Sequence, residues 1–217
     1  SLNKEVFKRA GLDENTSPKT MEEMFDYAAK VGADGKGDYG IYGSPQWYMT
    51  AQLHGMGVNL MNADKTEFNF ADNEQAIKYV TRFAELYKSG AIPKDSLTGE
   101  PDPGKAYADG NLAFGTPNAS FLKSVKANNA TVYNNTGVGP FPTNTGNKPV
   151  FEGQYIGVSV STKNAPLSMK FAEWITNAEN EYAWTHDGGA IIFPAATSAL
   201  DKLVANPPEI ANDPVFK

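Results

Sequence analysis

The chain has 217 residues, of which 41% are hydrophobic and 20% charged, and its formal net charge is −6. This composition is normal for a globular protein, and the lack of clustered Lys and Arg argues against a nucleic-acid or anionic-membrane partner. No apolar run approaches the length that crosses a bilayer. The sequence has no cysteine, which excludes disulfides, zinc–thiolate sites and thiol nucleophiles.

The first third of the chain predicts two helices and a short strand. Apolar residues at helical spacing predict a helix over Asn3–Ala10. Thr20 and Glu23 form a T-x-x-E capping box that opens the second helix. The segment GKGDYG at 35–40 matches G-x-G-x-x-G, but a helix precedes it and the strand Tyr39–Tyr42 follows. A nucleotide loop needs the reverse order, so we predict an ordinary loop here.

Two strand-to-helix junctions are candidates for ligand contact. A helix is predicted to begin near Pro45, which places Trp47 and Tyr48 at its N-terminus directly after a strand. Asn118 and Ser120 take the same position after the predicted strand 112–115. Ligands of open α/β sheets bind at such junctions. A Trp–Tyr pair is more often core, and Asn or Ser there is more often an N-cap, so both alternatives stay open.

Helices and one extended segment account for the remainder of the first 150 residues. Asp72 with Gln75 is predicted to open a long helix that Gly90 ends. Its apolar face is predicted to comprise Ala76, Ile77, Val80, Phe83, Ala84 and Tyr87. A short helix over 101–110 is expected to turn Tyr107 and Ala108 inward, and 131–142 reads as an extended segment.

In the stretch Phe151–Thr162, polar residues come first, and apolar and small residues alternate strictly in the second half. Apolar residues at 156, 158 and 160 predict a strand. Before it, Glu152, Gln154 and Tyr155 surround Gly153, where no side chain blocks a close approach. Polar residues before a half-buried strand are typical of a segment that places side chains at the rim of a cleft. A strand preceded by an ordinary turn explains the same pattern. Helices are predicted over 166–178 and 197–204.

The polar groups indicate binding more than catalysis. No G-x-S-x-G elbow, Walker A loop or H-E-x-x-H occurs, and the two histidines, His54 and His186, are too isolated for a metal cluster. Glu152 is the single carboxylate in a setting that suggests a crevice, and one carboxylate does not serve as both acid and base. Aromatic rings beside amides and hydroxyls are the groups that bind sugars.

The ordered succession of segments resembles a known family over essentially the whole chain. The segments include FNFADNEQAIKYVTRFAELYKSGAIP, AYADGNLAFGTPNASF, GVGPFPT, EGQYIGVSVSTKN and FAEWITNAENEYAWTHDGG. In this order they are similar to the sugar-binding, maltose-binding-like solute-binding proteins of ABC importers. The resemblance implies an α/β fold: a periplasmic-binding-protein-like lobe with a small central sheet flanked by helices, plus part of the other lobe. Members of the family close two lobes over a sugar like a hinge.

The resemblance also implies a division of the chain. Residues 1–152 would be the second, C-terminal lobe, and 153–194 would be a crossing strand and helices belonging to the first lobe. Residues 195–217 would be a truncated return segment. The missing first lobe is then expected in cis, and the strand at 156–161 would lack its native sheet partners.

Ligand contacts carry over from the family position by position. Trp47 matches the aromatic platform, with Gln46 and Tyr48 beside it. Asn118 and Ser120 occupy the loop where many relatives have a stacking Trp, which this sequence lacks, and Phe121 is a weak substitute. Glu152, Gln154 and Tyr155 match the crossing segment that reaches the cleft. Gly153 and Phe193 are the expected hinge positions, and a place in the pocket is the alternative for Phe193.

The sequence therefore predicts a non-catalytic carbohydrate receptor, with an oligosaccharide as the favoured ligand, that delivers its ligand to an ABC importer permease. No cofactor, metal or nucleic acid is expected. The resemblance places the protein outside a bacterial cell, as a periplasmic, extracellular or cell-surface lipoprotein. Two alternatives stay open: a glycosidase-like enzyme that uses Glu152, and a binding protein for a non-sugar solute.

Overall fold

The structure is a computed structural model that describes residues 1–43, 47–97, 102–116, 119–144, 153–188 and 192–216. The chain divides into two units, 1–151 and 152–217. The strands of the first unit are β1 (Leu2–Asn3), β2 (Tyr39–Ile41), β3 (Leu112–Phe114) and β4 (Thr136–Gly137). Its helices are α1 (Lys4–Arg9), α2 (Met21–Gly32), α3 (Trp47–Gly55), α4 (Glu74–Ser89), α5 (Pro103–Ala108), α6 (Ala119–Asn128) and α7 (Ala130–Asn134). The second unit contains α8 (Ala165–Ile175), α9 (Ala178–His186) and α10 (Thr197–Ala205).

The four strands form one small mixed sheet in the order β2-β3-β1-β4. β2 and β3 are parallel, with Tyr39 opposite Leu112 and Ile41 opposite Phe114. β1 lies antiparallel to β3 on one side and to β4 on the other. α1, α2 and α5 pack directly against strands of this sheet, and α4 packs on α2. The predicted α/β class, a small sheet flanked by helices, is therefore confirmed.

The predicted capping box opens α2. The Thr20 hydroxyl accepts a hydrogen bond from the Glu23 backbone N–H at 3.2 Å, and the Glu23 carboxylate accepts one from the Lys19 N–H at 2.7 Å. These contacts satisfy N–H groups that have no partner within the helix. Met21 and Phe25 are fully buried on the face that α2 turns to the core.

An ion pair joins α1 to the loop before β2. The Arg9 guanidinium donates to both carboxylate oxygens of Asp38, from Nε at 2.8 Å and from Nη2 at 2.7 Å. Nη2 also donates to the Gly110 carbonyl at 3.0 Å. The Asp38 carboxylate is buried, and the hydrogen bond to it raises the pKa of Arg9. These contacts therefore hold the end of α1 against the two loops that precede β2 and β3.

The long helix α4 differs from its prediction in its cap and in its buried face. Asn73 is the N-cap: its side-chain oxygen accepts from the backbone N–H groups of the second and third helical residues. The predicted cap, Asp72, lies one residue too early. Ala76 is buried as predicted, and Tyr79 and Leu86 are buried with it. The predicted core residues Ile77 and Val80 are instead more than half exposed. Gly90 ends the helix in the left-handed conformation, as predicted.

The sequence predicted that 131–142 is extended throughout, and this prediction is wrong for its first part. Asn129 caps the short helix α7, with its side-chain oxygen accepting from the N–H groups of Thr131 and Val132. A turn at Asn135 leads into β4, and residues 138–142 lack regular structure. In α5, by contrast, Tyr107 and Ala108 are buried as predicted, and burial raises the pKa of the Tyr107 phenol.

The predicted strand at 156–161 is absent from the described structure of the second unit. Residues 153–159 have no regular secondary structure, and Val160 is fully exposed. An alternating segment becomes a strand only when another strand satisfies its backbone N–H and C=O groups, and no described residue pairs with it. The helices predicted on either side of 190 are present as α8 and α10.

None of the helices in the described ranges combines the length and the apolar character that a membrane crossing requires.

Candidate ligand-binding surface

Both candidate strand-to-helix junctions lie at the same edge of the sheet. Because β2 and β3 are parallel neighbours in register, their carboxyl ends lie side by side. α3 begins at Trp47 and follows β2, and α6 begins at Ala119 and follows β3. The N-termini of both helices therefore belong to the loops at this edge, where open α/β sheets bind ligands.

Two further chain segments reach this edge. Leu2 of β1 pairs with Phe114 of β3 and with Gly137 of β4, so the start of β1 and the end of β4 lie here too. A cavity of about 30 Å³ opens beside Leu2 and Phe114 against the turn 139–142. This volume holds about two water molecules, so a sugar does not fit inside it.

The orientation of α3 is fixed by a buried hydrogen bond. The Tyr79 hydroxyl of α4 lies 2.6 Å from the Gln52 side-chain oxygen and donates to it. Gln52 is 2% exposed and Tyr79 is 3% exposed. The Tyr79 ring packs against Phe25 and stacks on Phe83. A buried amide is directional, so this contact specifies how α3, and with it the start of the helix at Trp47, is oriented.

The loop that follows β2 is held by a buried serine. The Ser96 hydroxyl donates to the Pro93 carbonyl at 2.6 Å and accepts from the Gly43 N–H at 3.1 Å. A Cβ atom on Gly43 would lie 2.7 Å from this hydroxyl oxygen, so only glycine allows the approach. The 3₁₀ turn Lys94–Leu97 is thereby packed on the loop between β2 and α3.

Two acidic residues act on Tyr42, the half-buried tyrosine that follows β2. Burial raises the pKa of the Tyr42 phenol, and the negative charges of Asp95 and Asp102 raise it further. These three residues were not predicted as site residues. Asp95 follows Pro93 in a turn, and Asp102 is the N-cap of α5. The local sequence explains the turn position of Asp95 and the capping role of Asp102. Only the tertiary structure brings both residues near Tyr42.

Phe121 is not the stacking ring that the sequence offered as a weak substitute. It is buried, and its ring packs edge-to-face on Tyr107 with centroids 5.2 Å apart. A Cβ atom on Gly115 would lie 2.4 Å from the Phe121 ring. Phe121 is therefore a buried packing residue and does not offer a ring face to a ligand.

The structure describes only part of the predicted site. Trp47 and Tyr48 are the first two residues of α3, but their side chains lie outside the described parts of the structure. Ser120 is exposed in the first turn of α6, at the same edge. Three predicted contacts lie outside the described residues altogether: Gln46, Asn118 and Glu152.

The remaining predicted residues belong to the second unit. Gln154 and Tyr155 are exposed, Tyr155 to 94%, in a segment without regular structure. The predicted hinge positions are Gly153, which is half-buried, and Phe193, which is exposed. The roles of these four residues stay predictions.

The two histidines have different surroundings. His54 is exposed near the end of α3. His186 stacks on Tyr182 at 5.0 Å, its Nδ1 lies 2.5 Å from Asp187, and the Asn206 amide lies 3.2 Å from its Nε2. Within the described ranges, no three His, Asp or Glu side chains converge as a metal site.

Solved structures with the same architecture define the class. A solute-binding protein of an ABC transporter from Thermotoga lettingae, bound with alpha-D-tagatose, superposes with a TM-score of 0.72 at 24% identity, over 98% of this chain and 54% of that one. The maltose-bound MalE3 of T. maritima gives a TM-score of 0.68 at 17% identity, over 99% and 57%. The fold is therefore that of periplasmic binding proteins.

The chain belongs to the family of bacterial extracellular solute-binding proteins, whose model matches residues 2–217. Among curated relatives, the sn-glycerol-3-phosphate-binding periplasmic protein UgpB of Shigella dysenteriae serotype 1 is 27% identical over 213 residues, which is 92% of this chain and 47% of that protein. UgpB of Escherichia coli K12 is 24% identical over the same shares. The chain spans about half the length of these relatives.

Proposed function

We propose that this chain is part of a bacterial receptor that binds a carbohydrate outside the cell and delivers it to the permease of an ABC importer. The observation that carries the proposal is the convergence of two strand-to-helix junctions, those at Trp47 and Ser120, on one sheet edge. Membership of the solute-binding family supports it. The protein is proposed to act in the periplasm or as a cell-surface lipoprotein, without catalysis.

In this proposal the aromatic residues stack on the sugar and the polar residues form hydrogen bonds with it. Trp47 and Tyr48 stack on the apolar faces of the sugar ring, a contact that suits flat aromatic side chains. The proposed hydrogen-bonding partners of the sugar hydroxyls are Gln46, Asn118, Ser120, Glu152, Gln154 and Tyr155. Residues 1–152 form the second lobe, and Gly153 and Phe193 serve as hinge positions. A first lobe supplies the remaining contacts.

A second candidate ligand is glycerol 3-phosphate or a related phosphate ester. The curated relatives carry that ligand in their names. The N-termini of α3 and α6 at one edge favour a phosphate as well.

The local charges favour an uncharged ligand over the phosphate ester. The described residues that follow β2, β3 and β4 before the next helix, 42–43, 115–116 and 138–144, contain no Lys or Arg. Phosphate sites commonly use Arg or Lys. Asp95 and Asp102 place negative charge near Tyr42, directly after β2. A neutral sugar avoids the repulsion that an anion meets here, so we retain carbohydrate as the leading candidate.

Calorimetry on a single aromatic variant tests the proposal. We expect Trp47→Ala to lose about 1–3 kcal/mol of sugar affinity, measured with maltose, maltotriose and tagatose, while circular dichroism stays unchanged. Phe68→Ala removes an exposed aromatic to which the proposal gives no role, and its affinity should match the parent. Unfolding of the Trp47 variant would assign the ring to the core. Unchanged affinity in a folded Trp47 variant would remove this ring from the site.

A glycosidase is distinguished by its products. Incubation with oligosaccharides followed by mass spectrometry should return the substrates intact. Cleavage that Glu152→Gln abolishes would establish an enzyme and contradict the receptor proposal.

A further inference from the structure

The segment that follows β4 is bonded to the C-terminal end of α3. This segment, residues 139–144, has no regular secondary structure, and we call it the strap. The Asn144 backbone N–H donates to the Gly55 carbonyl at 2.8 Å, and the Asn144 side-chain amide donates to the Met56 carbonyl at 3.4 Å. Carbonyl groups at the end of a helix lack donors within the helix, so the strap supplies donors that α3 itself does not have.

The strap approaches α3 closely at a glycine. A Cβ atom on Gly55 would lie 3.2 Å from the Pro142 carbonyl oxygen and 3.3 Å from the Phe141 ring. Both distances are shorter than the separation at which a carbon atom is attracted to its neighbours. The missing side chain at Gly55 is therefore what allows the strap and the helix to lie this close together.

The other side of the strap is packed differently. The Thr143 N–H donates to the Lys19 carbonyl at 3.1 Å, directly before α2. Residues 139–142 also line the cavity of about 30 Å³ beside Leu2 and Phe114. The strap thus has free volume near the sheet and close packing at α3. Because closely packed groups transmit a displacement, a movement of the strap at Gly55 is passed to the helix.

Helix α3 connects this contact to the candidate ligand-binding surface. The helix runs from Trp47 to Gly55, so its two ends are about 12 Å apart. The hydrogen bond of 2.6 Å between Gln52 and Tyr79 holds it on one side, and the strap holds its last residue. A short helix moves as a rigid rod, so these two attachments determine where its first turn lies.

We infer that the strap is a positioning element for Trp47. By holding the end of α3, it sets where the first turn of the helix lies at the sheet edge, and thereby the affinity for the ligand. Gly55 and Asn144 are positioning residues that act through the helix. The effect on affinity rests on the proposed function, because it takes Trp47 as a ligand contact, whereas the effect on the position of the helix does not.

Gly55→Ala in the natural gene product separates the strap from α3. Alanine favours a helix more than glycine does, so the substitution does not weaken α3 itself. We expect the sugar dissociation constant to rise about 2- to 30-fold. Without ligand, we expect the fluorine resonance of fluorotryptophan at position 47, identified by its loss in Trp47→Phe, to shift. A loss of stability alone would not move this resonance in the folded protein.

Gly104→Ala is the matched control for crowding. Its Cβ atom would lie 3.1 Å from the Ser124 hydroxyl of α6, a similar approach that does not involve the strap. Its dissociation constant should stay within about a factor of two of the parent value, with the Trp47 resonance in place. If folded Gly55→Ala leaves both readouts at their parent values, or if both variants shift the resonance equally, the inference is overturned.

A milder pair of variants gives a second test, which stands even if Gly55→Ala fails to fold. Asn144→Ala removes the side-chain donor to the Met56 carbonyl and should also shift the Trp47 resonance. Asn135→Ala removes an amide that donates to the Thr131 carbonyl in α7 at 3.1 Å, and should leave it in place. No difference between these two variants would overturn the inference.

The two kinds of readout separate this inference from the proposed function. If the parent protein binds no sugar, the proposed function fails, and the resonance of Trp47 without ligand still tests the positioning role of the strap. If sugar binds but the resonance is unchanged in Gly55→Ala and Asn144→Ala, the receptor stands and the positioning role is overturned.

Discussion

Removing the hydroxyl of Tyr79 is expected to destabilise the first unit through Gln52. The hydroxyl is 2.6 Å from the Gln52 side-chain oxygen, and both residues are at least 97% buried. In Tyr79→Phe this oxygen loses its donor in a place that water does not reach. Leaving a buried acceptor without its donor costs about 1–3 kcal/mol of unfolding free energy.

A double-mutant cycle separates the hydrogen bond from packing. In Tyr79→Phe/Gln52→Leu both polar partners are replaced, so the penalty of the orphan acceptor disappears. We expect the two changes to couple by about 0.5–3 kcal/mol, the double variant being more stable than the sum of the singles. Urea titrations followed by circular dichroism give the unfolding free energy of each variant. The slope of this free energy against urea concentration should be the same for all variants.

Tyr87→Phe is the matched control on the same helix. The Tyr87 hydroxyl meets the Lys94 carbonyl at 3.5 Å in an exposed contact. Its loss should change the unfolding free energy by no more than about 0.5 kcal/mol. If Tyr79→Phe is no more destabilising than Tyr87→Phe, or if the cycle is additive, the reasoning that this bond fixes α3 is refuted.

Two further substitutions test the packing of the first unit. Gly40→Ala should lower the unfolding free energy by about 2 kcal/mol or more, because the new Cβ would lie 2.4 Å from the Ala28 Cα and 2.5 Å from its carbonyl oxygen. Ala28→Gly should not rescue it in denaturant titrations, since these obstructing atoms are backbone; rescue would contradict the geometry. Asn73→Ala should cost about 1 kcal/mol, whereas Asp72→Ala should cost less than about 0.5 kcal/mol. The reverse order would assign the cap of α4 to Asp72.

Features determined within a few residues of sequence were predicted well. The capping box at Thr20 and the left-handed Gly90 need only local geometry, and both are present. The cap of α4 was placed one residue early because Asp72 and Asn73 are both good N-caps. The buried face of α4 was also misjudged at Ile77 and Val80, since which side of a broadly apolar helix is covered depends on its neighbours.

Features that depend on distant residues were not predictable from local patterns. The alternation at 156–160 indicates a strand correctly only when a sheet is available to pair with it. At the candidate surface, the sequence predicted that Trp47 and Ser120 follow strands. It gave no sign that Asp95 and Asp102 act on Tyr42, because these residues are up to 60 positions apart and meet only through tertiary packing.

The central claim is that the protein binds an uncharged sugar without altering it. Isothermal titration of the natural gene product with neutral mono- and oligosaccharides, and in parallel with glycerol 3-phosphate, tests it most directly. We expect saturable binding of at least one neutral sugar, recovered chemically intact, and at least about tenfold weaker binding of glycerol 3-phosphate. Saturable binding of glycerol 3-phosphate with no response to any neutral sugar would contradict the claim.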